Sequence, residues 1–320
     1  LTIAAILNAI GVLAYTSVPD FYVFMLGEFL WALALAMMSG TDEAMIYDSL
    51  KAVKKEKISK KILGRFGSFE MLGIMAAAPI GSIIAATLGL RWTMLLMAVP
   101  FTIAFLIALT LKEPARRKAR ESGKYLKTLT NGIRYFYSHK ILKILAFDGV
   151  SIAVLAFLIV WLFQSKLLQV EVGIAYFGII VTAMTALEIA IMNNFGRLEK
   201  FAGSKKRYLL ASALIPGIGF ILLGLTPNAV FSMMLIILIG GFGIPRYTLF
   251  SNYMNKYIAS RNRATVLSTI AMFESLGLAV AYPLVGLLAE WSLNYTLIII
   301  GVLCIIVAIV SSVEEGQLID

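Results

Sequence analysis

Apolar residues in this chain come in long unbroken blocks, and polar residues gather in the gaps between them. The blocks cover about 1–17, 21–46, 66–88, 92–111, 143–163, 173–194, 208–226, 229–250, 264–288 and 293–313. Most approach the 20 or so residues that a helix needs, at about 1.5 Å per residue, to cross about 30 Å of hydrocarbon. Strands of a membrane barrel would alternate apolar and polar positions over about ten residues, and these blocks do not. The pattern predicts an all-α membrane protein with ten transmembrane helices.

The gaps alternate in charge. Basic residues crowd the gap at 47–65 (Lys51, Lys54, Lys55, Lys57, Lys60, Lys61, Arg65), the long gap at 112–142, the gap after 194 (Arg197, Lys200, Lys205, Lys206, Arg207) and the gap at 256–263. The other gaps hold only Arg91 and Lys166. The positive-inside rule places the basic gaps, and with them both ends of the chain, in the cytoplasm. The short outer gaps leave no room for an extracellular domain. In the long gap, Leu126, Leu129, Ile133 and Tyr137 share one helical face, with Lys124, Lys127, Arg134 and Lys140 elsewhere. That is the pattern of an amphipathic helix on the inner leaflet surface, and it makes His139 an interfacial residue rather than a catalytic one. The expected organisation is a four-helix bundle at 1–111, a basic linker at 112–142 and a six-helix bundle at 143–320.

Composition narrows the classes. Hydrophobic residues make up 60% of the 320 and charged residues 14%, with a mean hydropathy of +0.89. A water-soluble enzyme and a disordered binder are excluded. The net charge of +10 follows from topology and lipid contact, so nucleic acid is not an expected partner. One cysteine (Cys304) and one histidine (His139) exclude a disulfide framework and Cys- or His-based metal clusters. No cofactor or metal is expected. Asp42 and Glu43 with Asp48 come nearest to a cation site but lack a second acidic cluster. The chain opens apolar at Leu1, without the charged segment of a signal peptide, and the start reads as a truncation.

An internal repeat relates the two bundles. Phe69-Glu70-Met71-Leu72-Gly73 and Phe273-Glu274-Ser275-Leu276-Gly277 share F-E-x-L-G, and Pro79 and Pro283 each follow the glutamate by nine residues. Both motifs open a block that enters the membrane from the basic side. The repeat pairs the third block with the ninth, as parallel repeats of two six-helix halves would. Two helices are then expected before Leu1.

At this point the sequence resembles the major facilitator superfamily, over the whole chain, as helices three to twelve of a twelve-helix fold. Gly196-Arg197-Leu198-Glu199-Lys200-Phe201-Ala202-Gly203-Ser204-Lys205-Lys206-Arg207 is similar to the second-half copy of its G-x-L-x-D-R-x-G-R-[RK] loop. Lys200 stands where that pattern has aspartate, and Phe201 and Ser204 where it has arginine. The stretch from Ser39 to Leu50, and Arg263-Ala264-Thr265-Val266-Leu267-Ser268, look like a prokaryotic drug-efflux subgroup. Ala78-Pro79-Ile80-Gly81-Ser82 keeps the proline of the antiporter signature but not its glycine spacing. The resemblance implies a monomeric inner-membrane transporter that moves a small molecule by alternating access, with proton-coupled efflux as the subgroup's activity.

Charges inside a bilayer cost about 2.5–3.5 kcal/mol each on insertion scales, so each needs a reason. Glu28 and Trp31, one turn apart, suit a cationic or amphipathic ligand through charge and cation–π contact, or are ordinary packing near the outer boundary. Glu274 lies about 16 Å beyond Arg263, near the midplane, with Gly277 and Ala281 on its face. It reads either as a proton- or substrate-contacting carboxylate or as a gate pair. Glu188 is a further proton-site candidate. Asp148, near the inner end of its block, is another, but reads rather as a boundary carboxylate. Arg246 follows the helix-breaking Gly240-Gly241-Phe242-Gly243-Ile244-Pro245 and is placed to hold an anion, to pair with Glu274, or to reach lipid phosphate. Asp42, Asp48, Glu70, Gly196, Arg197 and Gly203 are expected in a cytoplasmic charge network that latches one state. The rival readings are an intramembrane lipid-modifying enzyme, which calls for clustered acidic or histidine residues that the sequence lacks, and a partner-binding paralogue that does not transport.

Overall fold

A computed structural model of the chain describes residues 1–39, 41–112, 125–259 and 263–318. Among these residues the regular structure is helical. Eight stretches are long and apolar enough to cross a membrane, so the architecture is an all-α, multi-pass membrane fold. The chain divides into two compact units, Leu1–Ala119 with Ile174–Gly178, and Arg120–Gly173 with Ile179–Asp320.

The first unit contains α1 (Thr2–Ser17), α2 (Phe21–Met38), α3 (Thr41–Ala52), α4 (Ser59–Leu88), α5 (Leu90–Leu96) and α6 (Ala98–Thr110). Every apolar block of the sequence lies on a helix, but α1, with 16 residues, is shorter than a full span. Its crossing with α2 is close. A Cβ on Gly11 would lie 2.5 Å from the Trp31 ring, and one on Gly27 would lie 2.6 Å from the Tyr15 ring. Two glycines therefore admit two aromatic rings between the helices, the small-residue packing that membranes favour. Asp20 caps α2 by accepting from the backbone N–H groups of Tyr22 and Val23. Arg91 donates to the Thr16 carbonyl at 2.8 Å, placing a cation on the C-terminal end of α1. Beyond Glu70 the small residues of α4 are open: a Cβ on Gly73 or Gly81 would meet no described atom within 4 Å.

The second unit contains α7 (Tyr125–Ser138), α8 (Lys140–Phe157), α9 (Ile159–Gln169), α10 (Phe177–Met192, from Ile179 onward), α11 (Phe195–Phe201), α12 (Lys205–Leu225), α13 (Ala229–Gly243), α14 (Arg246–Tyr257) and α15 (Arg263–Val310). Two expected blocks merge in α15, which is interrupted where Ser292 turns extended (φ −163°, ψ 112°). Ser292 caps the helix that follows, its hydroxyl accepting from the Tyr295 N–H at 3.4 Å and its carbonyl from the Thr296 hydroxyl at 2.8 Å. The outer gap expected at 164–172 is helical as far as Gln169.

The linker helix α7 also packs on protein. In its described part Phe136 is buried against Phe273, ring centroids 5.3 Å apart. Gly132 sits so close to Thr265 and Thr269 that a Cβ there would lie 2.6 Å from the Thr265 side chain. The Tyr135 hydroxyl donates to the Tyr257 carbonyl. Gly132, Tyr135 and Phe136 thus dock on α15 and the end of α14, while Tyr137 of the predicted stripe is exposed. Protein offers Phe136 and Gly132 shape-matched partners that a lipid surface does not. Lys124 and the Leu126, Lys127 and Leu129 side chains lie outside the described residues. His139 precedes α8 and stacks on Tyr135, centroids 4.0 Å apart.

After α15 the tail folds back over the basic end of the unit. Val313 and Leu318 are buried in its apolar core. The Glu315 carboxylate accepts from the backbone N–H groups of Lys205 (2.9 Å) and Lys206 (2.8 Å), capping α12 from a distant part of the chain. The Tyr257 hydroxyl donates to the Gln317 carbonyl, and the Lys205 ammonium to that of Leu318. Slight burial works against charge on Glu315. The Lys206 and Lys205 amides, the Ser204 hydroxyl and the Lys205 ammonium outweigh it and hold the carboxyl below its ordinary range. A carboxyl lowered on folding stabilises at pH above its unfolded value, about 4.3, and that contribution fades as pH falls through the folded value. Because Glu315 is solvent-exposed, Glu315→Gln is expected to cost about 1 kcal/mol at pH 7, the ordinary worth of a helix cap. The difference should vanish at acid pH, as read from thermal midpoints in detergent.

Candidate functional site

Two clusters of polar side chains lie inside the second unit. The first is built on the break between α13 and α14. Gly240 and Gly241 press against Met184 and Leu187 of α10, and Pro245 precedes Arg246. The break delivers Arg246 to the interior at a helix N-terminus, where a cation is disfavoured and needs acceptors. It has them. The guanidinium, 2% exposed, donates to the Leu209 carbonyl and the Ser212 hydroxyl of α12, and pairs with the Asp148 carboxylate of α8. It also stacks on Phe250, 5.1 Å from the ring centroid. The alternatives of Arg246 pairing with Glu274 or reaching lipid phosphate are therefore corrected. Asp148, expected at the membrane boundary, is buried as its partner. The two residues are 98 positions apart in the chain and share no periodicity, so only their unusual charge inside apolar blocks marked them.

The second cluster surrounds Glu274 on α15. This side chain is half-buried, and among the described residues no cation or hydrogen-bond donor is paired with it. Tyr282 lies about two turns further along α15, and Tyr247 is on α14. Trp161 of α9 meets Tyr282 edge to face, centroids 5.8 Å apart. A half-buried carboxylate with no paired cation can receive a proton or an organic cation. Sequence reasoning selected Glu274 and missed the three aromatics, whose residue types do not stand out in apolar helices. Glu188 on α10 is also half-buried, with no paired cation among the described residues.

In the first unit, Glu28 and Trp31 have protein partners. The Trp31 indole N–H donates to the Asn8 carbonyl at 3.1 Å, and its ring lies 5.0 Å from that of Tyr15. The Tyr15 hydroxyl donates to Glu28. Asp42 accepts from the Glu43 N–H in the first turn of α3. Asp48 is half-buried on the same helix, and Glu70 is exposed on α4. The other members of the expected latch belong to the second unit. Arg197 donates to Asn194 at 3.2 Å, and Gly196 has open space around it. Gly203, with φ +83°, ends α11 in the left-handed conformation that lets the chain turn into α12. The same loop contributes a contact that sequence reasoning missed: the Tyr253 hydroxyl donates to Glu199.

A multi-pass helical fold with ionisable side chains inside its bundles is the build of a membrane transport protein. The sequence profile of the Major Facilitator Superfamily matches residues 1–257 and 167–314. The chain belongs to this superfamily, whose members move small molecules across membranes and are not enzymes. Among solved structures, it is similar to a POT family transporter in complex with 5-aminolevulinic acid. The TM-score is 0.73 at 13% identity, over 100% of this chain and 81% of that one, a likeness of fold. No curated protein matches the chain.

Proposed function

We propose that this transporter exports organic cations in exchange for protons across the cytoplasmic membrane, as the drug-efflux-like subgroup does, with its basic loops and both ends of the chain in the cytoplasm. Residues 1–111 and 143–320 act as the two halves that rock about a central cavity, joined by 112–142. The supporting observation is Glu274, a half-buried carboxylate within α15 with no paired cation among the described residues. An uncompensated charge in a membrane bundle is costly, and a proton or a cationic substrate removes that cost. Because either ligand neutralises the same group, binding of one displaces the other, which is the logic of exchange. Glu188 serves as a second proton site, and Glu28 with Trp31 as an outer cation contact. Arg246 holds the interior of the second half together, and Asp42, Asp48, Glu70, Gly196, Arg197 and Gly203 act in the cytoplasmic latch.

The test is flux of a lipophilic cation in inverted vesicles with an imposed proton gradient. Accumulation that collapses when a protonophore is added is the expected result. Flux indifferent to the gradient overturns the coupling.

A further inference from the structure

Lys166 is the other deeply covered charge of the second unit. It lies in the last turn of α9 and is 1% exposed. Its ammonium donates to the Asn294 side-chain carbonyl at 3.0 Å. Among the described residues no carboxylate pairs with it, in contrast to Arg246, which is as fully covered, lies deeper in the bundle and has Asp148. The elements packed against α9 are α8 and α13, and Asn294 comes from α15. Of the charged side chains on these elements (Lys140, Lys143 and Asp148 on α8, Arg263, Glu274 and Glu290 on α15), none forms an ion pair or hydrogen bond with Lys166 among the described residues. Burial without an anion is what remains.

We propose that Lys166 is a proton-binding site of the transporter, an amine that takes a proton from the water at the end of the bundle opposite the basic loops. The balance is simple. The neutral amine carries two N–H groups and a lone pair, and it donates one hydrogen to Asn294. A proton from hydronium adds to the lone pair, leaving water behind and creating a third N–H and a full positive charge. Nothing described around the site accepts either. The charged form is therefore accommodated by admitting water. The place to admit it is the contact between α9 and the start of the helix after Ser292, where Asn294 lies two residues past the bend. Proton uptake at Lys166 thus loosens that contact, and proton release tightens it. The role in driving export rests on the proton-coupled reading above, whereas the titration and its structural response do not.

Hydrogen exchange on the full chain in lipid nanodiscs, without substrate, tests this directly. The readout is the amides of residues 294–298 and of the last turn of α9. After correction for intrinsic exchange, the wild type is expected to exchange about tenfold faster at low pH than at high pH over the range of about 8 to 5. Lys166→Met, which cannot be charged, should stay slow throughout. Lys166→Arg, which cannot be neutralised, should stay fast throughout. Equal pH dependence in the wild type and Lys166→Met overturns the proposal, as does Lys166→Arg tracking the wild type at high pH. The arginine variant keeps the experiment decisive if the methionine variant does not fold. A wild-type profile that moves with chloride concentration at fixed pH also overturns it, because the lysine is then held charged by a bound anion. A wild-type transition that Lys166→Met abolishes, in a protein with no proton-driven flux, supports the site while removing the efflux reading.

Discussion

Asp148→Ala is expected to destabilise the second unit by about 3–5 kcal/mol, the penalty of breaking a buried ion pair from one side. The size follows from what is left behind. Arg246 would remain buried at a helix N-terminus, with Leu209, Ser212 and the Phe250 ring as neutral partners but no counter-charge. Its Nε has no hydrogen-bond partner even in the intact pair, so there is no spare contact to absorb the loss. Asp148→Asn keeps the shape and removes only the charge, and should fall close to the alanine variant. The informative control is the double substitution Asp148→Leu with Arg246→Met. Removing both charges and filling the space with apolar side chains should recover most of the stability, since well-packed hydrophobic replacements of buried pairs are often neutral or better. Unfolding midpoints of the four proteins in one detergent complete a double-mutant cycle. A double variant as unstable as the single ones would mean that Arg246 stabilises through its contacts with α12 and not through Asp148.

The contrast between Arg246 and Lys166 shows how far a linear sequence carries the argument. The helices were legible because hydrocarbon imposes length and apolarity residue by residue, and every apolar block lies on one. The kink at Ser292 was legible only as a short polar gap, since a capping serine and a loop serine look alike until the Tyr295 amide is seen to point at the hydroxyl. Charge was legible as presence but not as partnership. Arg246 was assigned to Glu274 or to lipid because the nearest unexplained anion or the boundary was the available partner. The structure supplies Asp148 from a helix remote in sequence. Lys166 was read as a loop charge because it sits beside a polar gap, and its burial depends on how α9 packs. Amphipathicity in the linker was legible, but the neighbouring face that packs Gly132 against Thr265 was not, because a glycine carries no apolar signal.

Glu274→Gln is expected to reduce gradient-driven accumulation of cations by about two orders of magnitude, while leaving the protein folded. The magnitude comes from the charge alone. An intramembrane charge is worth about 2.5–3.5 kcal/mol on insertion scales, and 1.4 kcal/mol is a factor of ten in an equilibrium. Glutamine matches glutamate in volume, so contacts along this face of α15, including that of Gly277 with Val154, are undisturbed. No ion pair is broken either, because none involving Glu274 exists among the described residues. Stability should therefore change little, the opposite of the Asp148 result, and this separates a ligand-binding carboxylate from a structural one. Glu274→Asp retains the charge on a shorter arm and should keep measurable exchange with weaker apparent affinity. Tyr247→Phe and Trp161→Leu leave the carboxylate in place. If the two side chains line the cation's seat, these variants should raise the concentration needed for half-maximal cation flux more than they lower the maximal rate. Accumulation in Glu274→Gln equal to wild type would return this side chain to packing and transfer the coupling role to Glu188 or Glu28. Glu188 is the stronger of the two, since Glu28 already accepts a hydrogen bond from Tyr15, whereas Glu188 has no described partner to share its charge.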